Sequence, residues 1–256
     1  MRNIKLTIEY EGTKYSGFQS QNDVLGIQEV LELAIKKVCR EDIKVIGSGR
    51  TDKGVHAIAQ VCNFFTETDI PAGNFTLAIN TNLPDDIKVK LSQEADLDFH
   101  SRFSAKGKRY RYRIYNSKIE RPIYRNFSYH VKKPLDIEAM KSAIPYFIGT
   151  HDFKSFMGPK VKVKDTIRTI HLIELEENGD FLEFVIEGNN FLRHMVRIIV
   201  GTFIYVGIGK IKIEDIPKII NGKNRLLAGV TANPEGLFLE KVYYEKNGLD
   251  KDKGMY

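Results

Sequence analysis

Cysteine is scarce in this chain. Only Cys39 and Cys62 occur in 256 residues, which allows at most one disulfide and cannot complete a tetrahedral cysteine zinc site. A reducing, cytoplasmic setting is the simplest expectation. The six histidines stand at positions 56, 100, 130, 151, 171 and 194, too far apart for a local metal-ligand motif, so no structural metal is expected. Long apolar runs are missing too. The longest uncharged one, residues 198–209, falls short of the roughly 20 residues that cross a bilayer, and residues 1–10 alternate instead of forming a signal peptide's apolar region. Neither membrane insertion nor secretion is expected. With 42% hydrophobic and 28% charged residues the composition is ordinary for a globular protein, and the length suits one large or two modest domains.

Acidic residues are almost missing from one stretch. Residues 102–133 hold eleven Lys and Arg against the single acid Glu120, a local +10 that leaves −4 for the remainder of a chain whose total is +6. Phe103, Tyr110, Tyr112, Tyr115, Tyr124, Phe127 and Tyr129 are interleaved with these cations. Cations beside aromatic rings suit a phosphate backbone with unstacked bases. They suit equally a half-buried strand with a solvated face, because Tyr110, Tyr112 and Ile114 alternate with Arg109, Arg111 and Arg113. Composition leaves both readings open.

The hydrophobic periodicity predicts a strand at 4–10, a helix at 27–38 with Ile27, Val30, Leu31, Ala34, Ile35 and Val38 on one side, strands at 43–46 and 57–65, a short helix at 75–80 and a strand at 87–91. A second round follows: a strand at 108–115, a helix at 137–147, strands at 166–176 and 181–188, a helix at 191–206 capped by Asn189 and Asn190, and a strand at 237–243. Two split α+β units of similar length follow from this order, one over 1–103 and the other over 104–246, with a polar, frayed tail at 247–256.

The densest special sequence is Gly47-Ser48-Gly49-Arg50-Thr51-Asp52-Lys53-Gly54-Val55-His56-Ala57. Its glycines permit close approach of another backbone or a ligand, and Arg50, Asp52, Lys53 and His56 gather charge in one place. Gly49 and Gly54 have the glycine spacing of a phosphate-binding loop. Val55 and His56, however, stand where that motif needs Lys and Ser or Thr, so nucleotide hydrolysis loses its support. A tight turn with an ordinary turn Asp is the bland alternative. Residues 10–21 form a polar, aromatic-containing loop after the first strand. In residues 189–197, Arg193 and Arg197 share a face of a strongly apolar helix. A buried arginine there needs an anionic partner. If that partner is Asp52, the carboxylate is held ionised in one rotamer, as suits a nucleophile better than a general acid.

Together these residues resemble the tRNA pseudouridine synthase A family, which isomerises uridines in the anticodon stem-loop. The likeness runs through residues 10–21, 49–61, 80–84, 99–105, 108–112, 189–201 and 235–239, and the Gly49-Arg50-Thr51-Asp52-Lys53-Gly54-Val55-His56-Ala57 element is highly specific. The resemblance implies two ferredoxin-like halves joined into one antiparallel sheet with a central cleft, and a homodimer that binds tRNA. It casts Asp52 as the catalytic aspartate, Arg197 as the buried arginine paired with it, Arg50 as the residue that displaces the flipped uridine and Tyr110 as the ring stacked on the target base. Leu237 becomes apolar lining of the uracil pocket, and Arg102 an RNA contact. Arg193 is assigned at most a contact to the RNA backbone. Uridine must leave the stack for its N1 bond to be exchanged for a C5 bond. No redox change or group donor is involved, so no cofactor is expected. The rival class is a catalytically silent RNA-binding protein that uses the basic segment alone.

Overall fold

The computed structural model describes residues 1–19, 24–159 and 163–245. The first elements are β1 (Arg2–Tyr10), α1 (Ile27–Cys39), β2 (Ile46–Gly47), β3 (His56–Thr66), α2 (Phe75–Asn80) and β4 (Ile87–Ala95). There follow β5 (Gly107–Asn116), β6 (Tyr129–Val131), α3 (Ile137–Ala143), β7 (Gly149–Asp152), β8 (Ile167–Asn178), β9 (Phe181–Gly188), α4 (Met195–Gly207), α5 (Ile216–Asn221) and β10 (Leu237–Tyr243). The class is α+β with mostly antiparallel strand pairing. Among the described residues no helix is long and apolar enough to cross a membrane. Among the described residues two compact units emerge, one of residues up to 106 with 238–245 and one of residues from 107 to 237. The last strand, which sequence order places with the second half, thus packs mainly in the first unit.

In the first unit β1 lies between β4 and β3, antiparallel to both, with short β2 on the outer edge of β3. Order β4-β1-β3-β2 with helices after the first and third strands is the ferredoxin-like arrangement. β10 adds a short parallel pairing of Phe238 and Leu239 with His56 and Ala57. Alternation explains β1: Ile4, Leu6, Ile8 and Tyr10 are buried on one face. The same holds at helical spacing in α1, which turns Ile27, Leu31, Ala34, Ile35 and Cys39 inward. Phe64 of β3 meets Phe75 of α2 edge to face at 5.5 Å. Each such fully buried ring contributes roughly 1.5–3 kcal/mol of transfer free energy.

The predicted strand at 43–46 shrinks to Ile46–Gly47. Side chains of α1 have taken its backbone groups: Gln28 donates to the Val45 carbonyl at 3.0 Å, and Glu32 accepts the Val45 amide at 3.0 Å.

In the second unit the order is β5-β9-β8-β7, all antiparallel, with β6 parallel to β5. Its core centres on Phe203 of α4, stacked on Phe184 at 4.9 Å and against Phe147 at 5.0 Å. Asp136 caps α3 through the Ala139 amide at 2.9 Å. That helix stops at Ala143 and continues as a 3₁₀ turn to Phe147. α4 begins four residues later than its apolar pattern suggests, at Met195, behind His194 at φ 62°. Asn189 and Asn190 are not its caps. Asn189 accepts the amides of Thr169 and Asn190, and Asn190 accepts that of Phe191. The frayed-tail expectation for 247–256 lies outside the described residues.

Candidate active site

Residues 48–55 connect β2 to β3 and are held from below by residues 10–18. The Thr51 carbonyl accepts the Phe18 amide at 3.2 Å, the Tyr15 carbonyl accepts the Gly54 amide at 3.4 Å, and the Gly12 amide donates to His56 Nδ1 at 3.0 Å. The Tyr10 and Thr51 hydroxyls share a hydrogen bond of 2.8 Å. Ser48 donates to Gln60 Oε1 at 2.5 Å, and Gln60 Nε2 donates to the Gly49 carbonyl at 3.0 Å. Two glycines make this approach feasible. A β-carbon on Gly12 would stand 2.0 Å from the Val55 oxygen; one on Gly17, whose φ is +99°, would stand 2.5 Å from the Thr51 oxygen. The two sequence motifs at 10–21 and 49–61 are therefore one construction, apart from Ser20 and Gln21, which lie outside the described residues.

On this rack Asp52 is half-buried, its carbonyl closing a turn with the Val55 amide at 3.1 Å, while Arg50 and Lys53 are exposed. Burial pushes the Tyr10 phenol well above its ordinary pKa, against the opposing hydrogen bond from Thr51, so it remains a neutral hydrogen-bonding group. His56 differs from the reading that counts it among the loop charges. It is 1% exposed and stacked on Phe238 at 4.8 Å. Acceptance of the Gly12 amide at Nδ1 requires the neutral ring with its proton on Nε2. Asp86 completes the brace by accepting from the Tyr15 hydroxyl at 2.6 Å.

Arg102 is exposed on a turn whose underside is rigid. Ser101 donates its amide to Asn63 Oδ1 at 3.0 Å and its hydroxyl to the Ile46 carbonyl at 2.5 Å, and its carbonyl accepts from the Tyr244 hydroxyl at 2.8 Å. Asn63 in turn donates to Asn3 at 2.9 Å. The guanidinium lies 5.7 Å from the ring of Phe103, which is 74% exposed.

In the second unit Tyr110 is 9% exposed and meets Phe191 edge to face at 5.1 Å. Six residues further on, half-buried Arg197 donates Nε to the Ala232 carbonyl at 2.7 Å, while the Ala232 amide donates to the Arg197 carbonyl at 3.1 Å. The segment 228–236 is clamped along its length. A β-carbon on Gly201 of α4 would stand 1.9 Å from the Val230 oxygen, and the Tyr112 hydroxyl donates to the Asn233 carbonyl at 2.6 Å. Leu237, at its end, is 5% exposed. Arg193 is exposed and donates to the Pro159 carbonyl at 3.3 Å.

The basic segment divides. Arg109 pairs with Glu187, and Arg111 and Arg113 both pair with Glu183 on neighbouring β9. Burial alone would raise the Glu183 carboxyl, but hydrogen bonds and charge from Arg111 and Arg113 outweigh it and hold the pKa below the usual range. The three alternating arginines of β5 are thus paired with two carboxylates of β9, neither a bare solvated face nor an open phosphate site. Arg102, Lys118, Arg121, Arg125, Lys132 and Lys133 are exposed. Among the described residues no group of three or more His, Cys, Asp or Glu is arranged to hold a metal ion.

A family model described as tRNA pseudouridine synthase matches residues 6–104 and 143–245. The tRNA pseudouridine synthase A of Acetivibrio thermocellus is 50% identical over 244 residues, covering 95% of this chain and all of the relative. The chain belongs to the tRNA pseudouridine synthase family. The protein of the same description from Thermoanaerobacter sp. is 49% identical over 95% of this chain and 100% of its own length. The match to a chain of a solved archaeal box H/ACA sRNP Nop10–Cbf5 complex covers 88% of this chain and 59% of that one at 11% identity, with a TM-score of 0.39.

Membership makes the chain an isomerase and disfavours the silent RNA-binding reading. The matched stretches contain Arg50, Asp52, Arg102, Arg197 and Leu237; Tyr110 lies between them, in 105–142. Sequence reasoning overlooked the parts that hold these residues: Tyr10 and Thr51 beneath Asp52, Phe191 against Tyr110, and Ala232 on Arg197. A signal was present for some. Gly12, Gly17 and Gly201 sit inside the motifs already singled out, and a glycine flanked by strand or helix residues marks a close backbone approach.

Proposed function

We propose that this protein converts uridine to pseudouridine at positions 38, 39 and 40 of the tRNA anticodon stem-loop, as a cytoplasmic homodimer without a cofactor. The target base is flipped out of the stack, since its reacting atoms are shielded while it remains stacked. Arg50, exposed beside Asp52, takes the place the base vacates. Tyr110 stacks on the flipped uracil, Leu237 lines its pocket, and Arg102 contacts the RNA. Ionised Asp52, steadied by Arg197, attacks the ribose C1′; the N1–C1′ bonding pair leaves with the uracil, which turns in place. C5 then bonds to C1′ and expels the carboxylate, and transfer of the C5 proton to a base with uptake of a proton at N1 restores the ring, so that the product is an isomer of uridine. Attack on C6 of uracil is the competing route, and a trapped adduct mapped to base or sugar distinguishes them.

The observation that supports Asp52 as nucleophile is its setting. The Thr51 and Gly49 carbonyls accept from the Phe18 amide and from Gln60 Nε2, the Thr51 hydroxyl is bonded to that of Tyr10, and the neighbouring His56 ring accepts the Gly12 amide, which together fix the backbone that carries Asp52. Orientation of this kind lowers barriers by removing freedom before reaction. The test is release of tritium from C5-labelled uridine in an unmodified transcript with uridine at position 39, comparing wild type with Asp52→Ala. Release by wild type alone supports the proposal. Equal release by both proteins removes Asp52 from the chemistry, and release by neither, with tRNA binding intact, returns the question to RNA binding.

A further inference from the structure

Arg225 is a partly buried guanidinium with no carboxylate beside it among the described residues. It precedes the clamped segment in a 3₁₀ turn, residues Arg225–Leu227. One terminal nitrogen donates to the Gly229 carbonyl at 2.8 Å and more weakly to that of Ala228 at 3.4 Å; the other donates to the Thr231 hydroxyl at 3.1 Å. Burial lowers its pKa from the ordinary arginine value, the mark of a cation whose lost hydration is not offset by a counter-charge. An apolar side chain could fill the same volume without that cost. What only a guanidinium supplies is a rigid plane of several N–H donors, here matched to three acceptors within four consecutive residues.

Those residues lead directly into the candidate site. Thr202 of α4 accepts the Gly229 amide at 2.9 Å, so helix and guanidinium grip the same turn from different partners. The next residue beyond Thr231 is Ala232, whose carbonyl and amide both bond to Arg197; Asn233 is tied to Tyr112, and Leu237 follows. We infer that Arg225 is a positioning residue for this reaction: it fixes residues 228–231 so that Ala232 orients the Arg197 guanidinium and the segment presents Leu237 to the base. The inference rests on the roles proposed above for Arg197 and Leu237.

The test measures kcat and KM on an unmodified tRNA transcript, below the melting temperature of every variant. Arg225→Lys keeps the charge and loses the planar fork; Arg225→Met loses both. Each is expected to lower kcat about tenfold or more with KM within about twofold. Thr231→Val removes one acceptor and lowers kcat about threefold, whereas Thr231→Ser restores it. Wild-type kcat in both Arg225 variants, while Arg197→Ala is impaired, overturns the inference and leaves the Arg197 reading standing. Wild-type kcat in Arg197→Ala overturns that reading, and the inference with it. Should the Arg225 variants not fold, equal kcat in Thr231→Val and Thr231→Ser overturns the inference, and a deficit confined to Val supports it.

Discussion

Two segments of the molecule solve the same problem differently. Residues 48–55 in one unit and 228–236 in the other are both irregular, and both are pressed onto backbone where a β-carbon would not fit: Gly12 against Val55 at 2.0 Å and Gly201 against Val230 at 1.9 Å. The first is then secured by neutral groups, the Phe18 amide, the Tyr15 carbonyl and the Tyr10 hydroxyl, and its cations Arg50 and Lys53 remain exposed. Arginines secure the second, with Arg197 and Arg225 both donating to main-chain carbonyls. A guanidinium that orients backbone is held to one place and one direction, whereas a cation left in solvent remains available to phosphate. β5 belongs with the second kind, because Glu183 and Glu187 have claimed its arginines.

The contrast can be broken most severely at its chemical end. Asp52→Asn is expected to lower kcat by at least ~10³-fold with tRNA affinity within about twofold of wild type; retained turnover would show that the neutral rack serves no nucleophile. Next come the glycines. Gly12→Val and Gly201→Val each force a side chain into a carbonyl, and each should cost about 3 kcal/mol or more in urea denaturation. An unchanged midpoint in either would mean that its segment is not pressed onto backbone.

Tyr10→Phe removes one neutral bond next to Asp52. It should lower stability by about 1 kcal/mol and kcat about tenfold with KM unchanged, and a loss of stability alone would make the bond structural only.

Glu183→Gln probes the paired arginines. The folded carboxyl lies below its unfolded value, so its stabilisation is fully present above the unfolded value of about 4.3 and is lost as pH falls through the folded one. Wild type should therefore exceed the variant by about 1–2 kcal/mol at neutral pH, with the gap closing in acid; a gap independent of pH contradicts the pairing. The smallest effect is expected from Arg102→Gln. It should weaken tRNA binding a few-fold and reduce the salt slope by about 0.7–0.9, while Arg109→Gln leaves that slope unchanged and lowers the melting temperature. Equal slope changes in both would erase the distinction between exposed and internally paired cations.

How much of this was legible in the sequence depended on how far each residue's partners lie along the chain. β1 and α1 match their periodic patterns within about two residues at either end, since alternation and helical spacing are local consequences of burying one face. The short β6 and β7, with three and four residues, carry too few positions to show a period. Asn189 and Asn190 looked like caps because their type favours helix starts; the nearby Thr169 amide on β8 claimed Asn189 instead. Asp52, Arg50 and Arg102 stood out through motif resemblance, whereas nothing in the order of residues revealed that Thr51 meets Tyr10 forty-one positions away.

By itself, then, the chain's order of residues determined the α+β class, the family and the loop that bears Asp52, because periodicity and a dense glycine-and-charge motif are read over short stretches. Only the tertiary structure decided which cations remain exposed and which are bound to carbonyls or to Glu183 and Glu187. Charge state and availability depend on desolvation and on partners brought from distant segments, and neither is a property of a residue's neighbours in sequence.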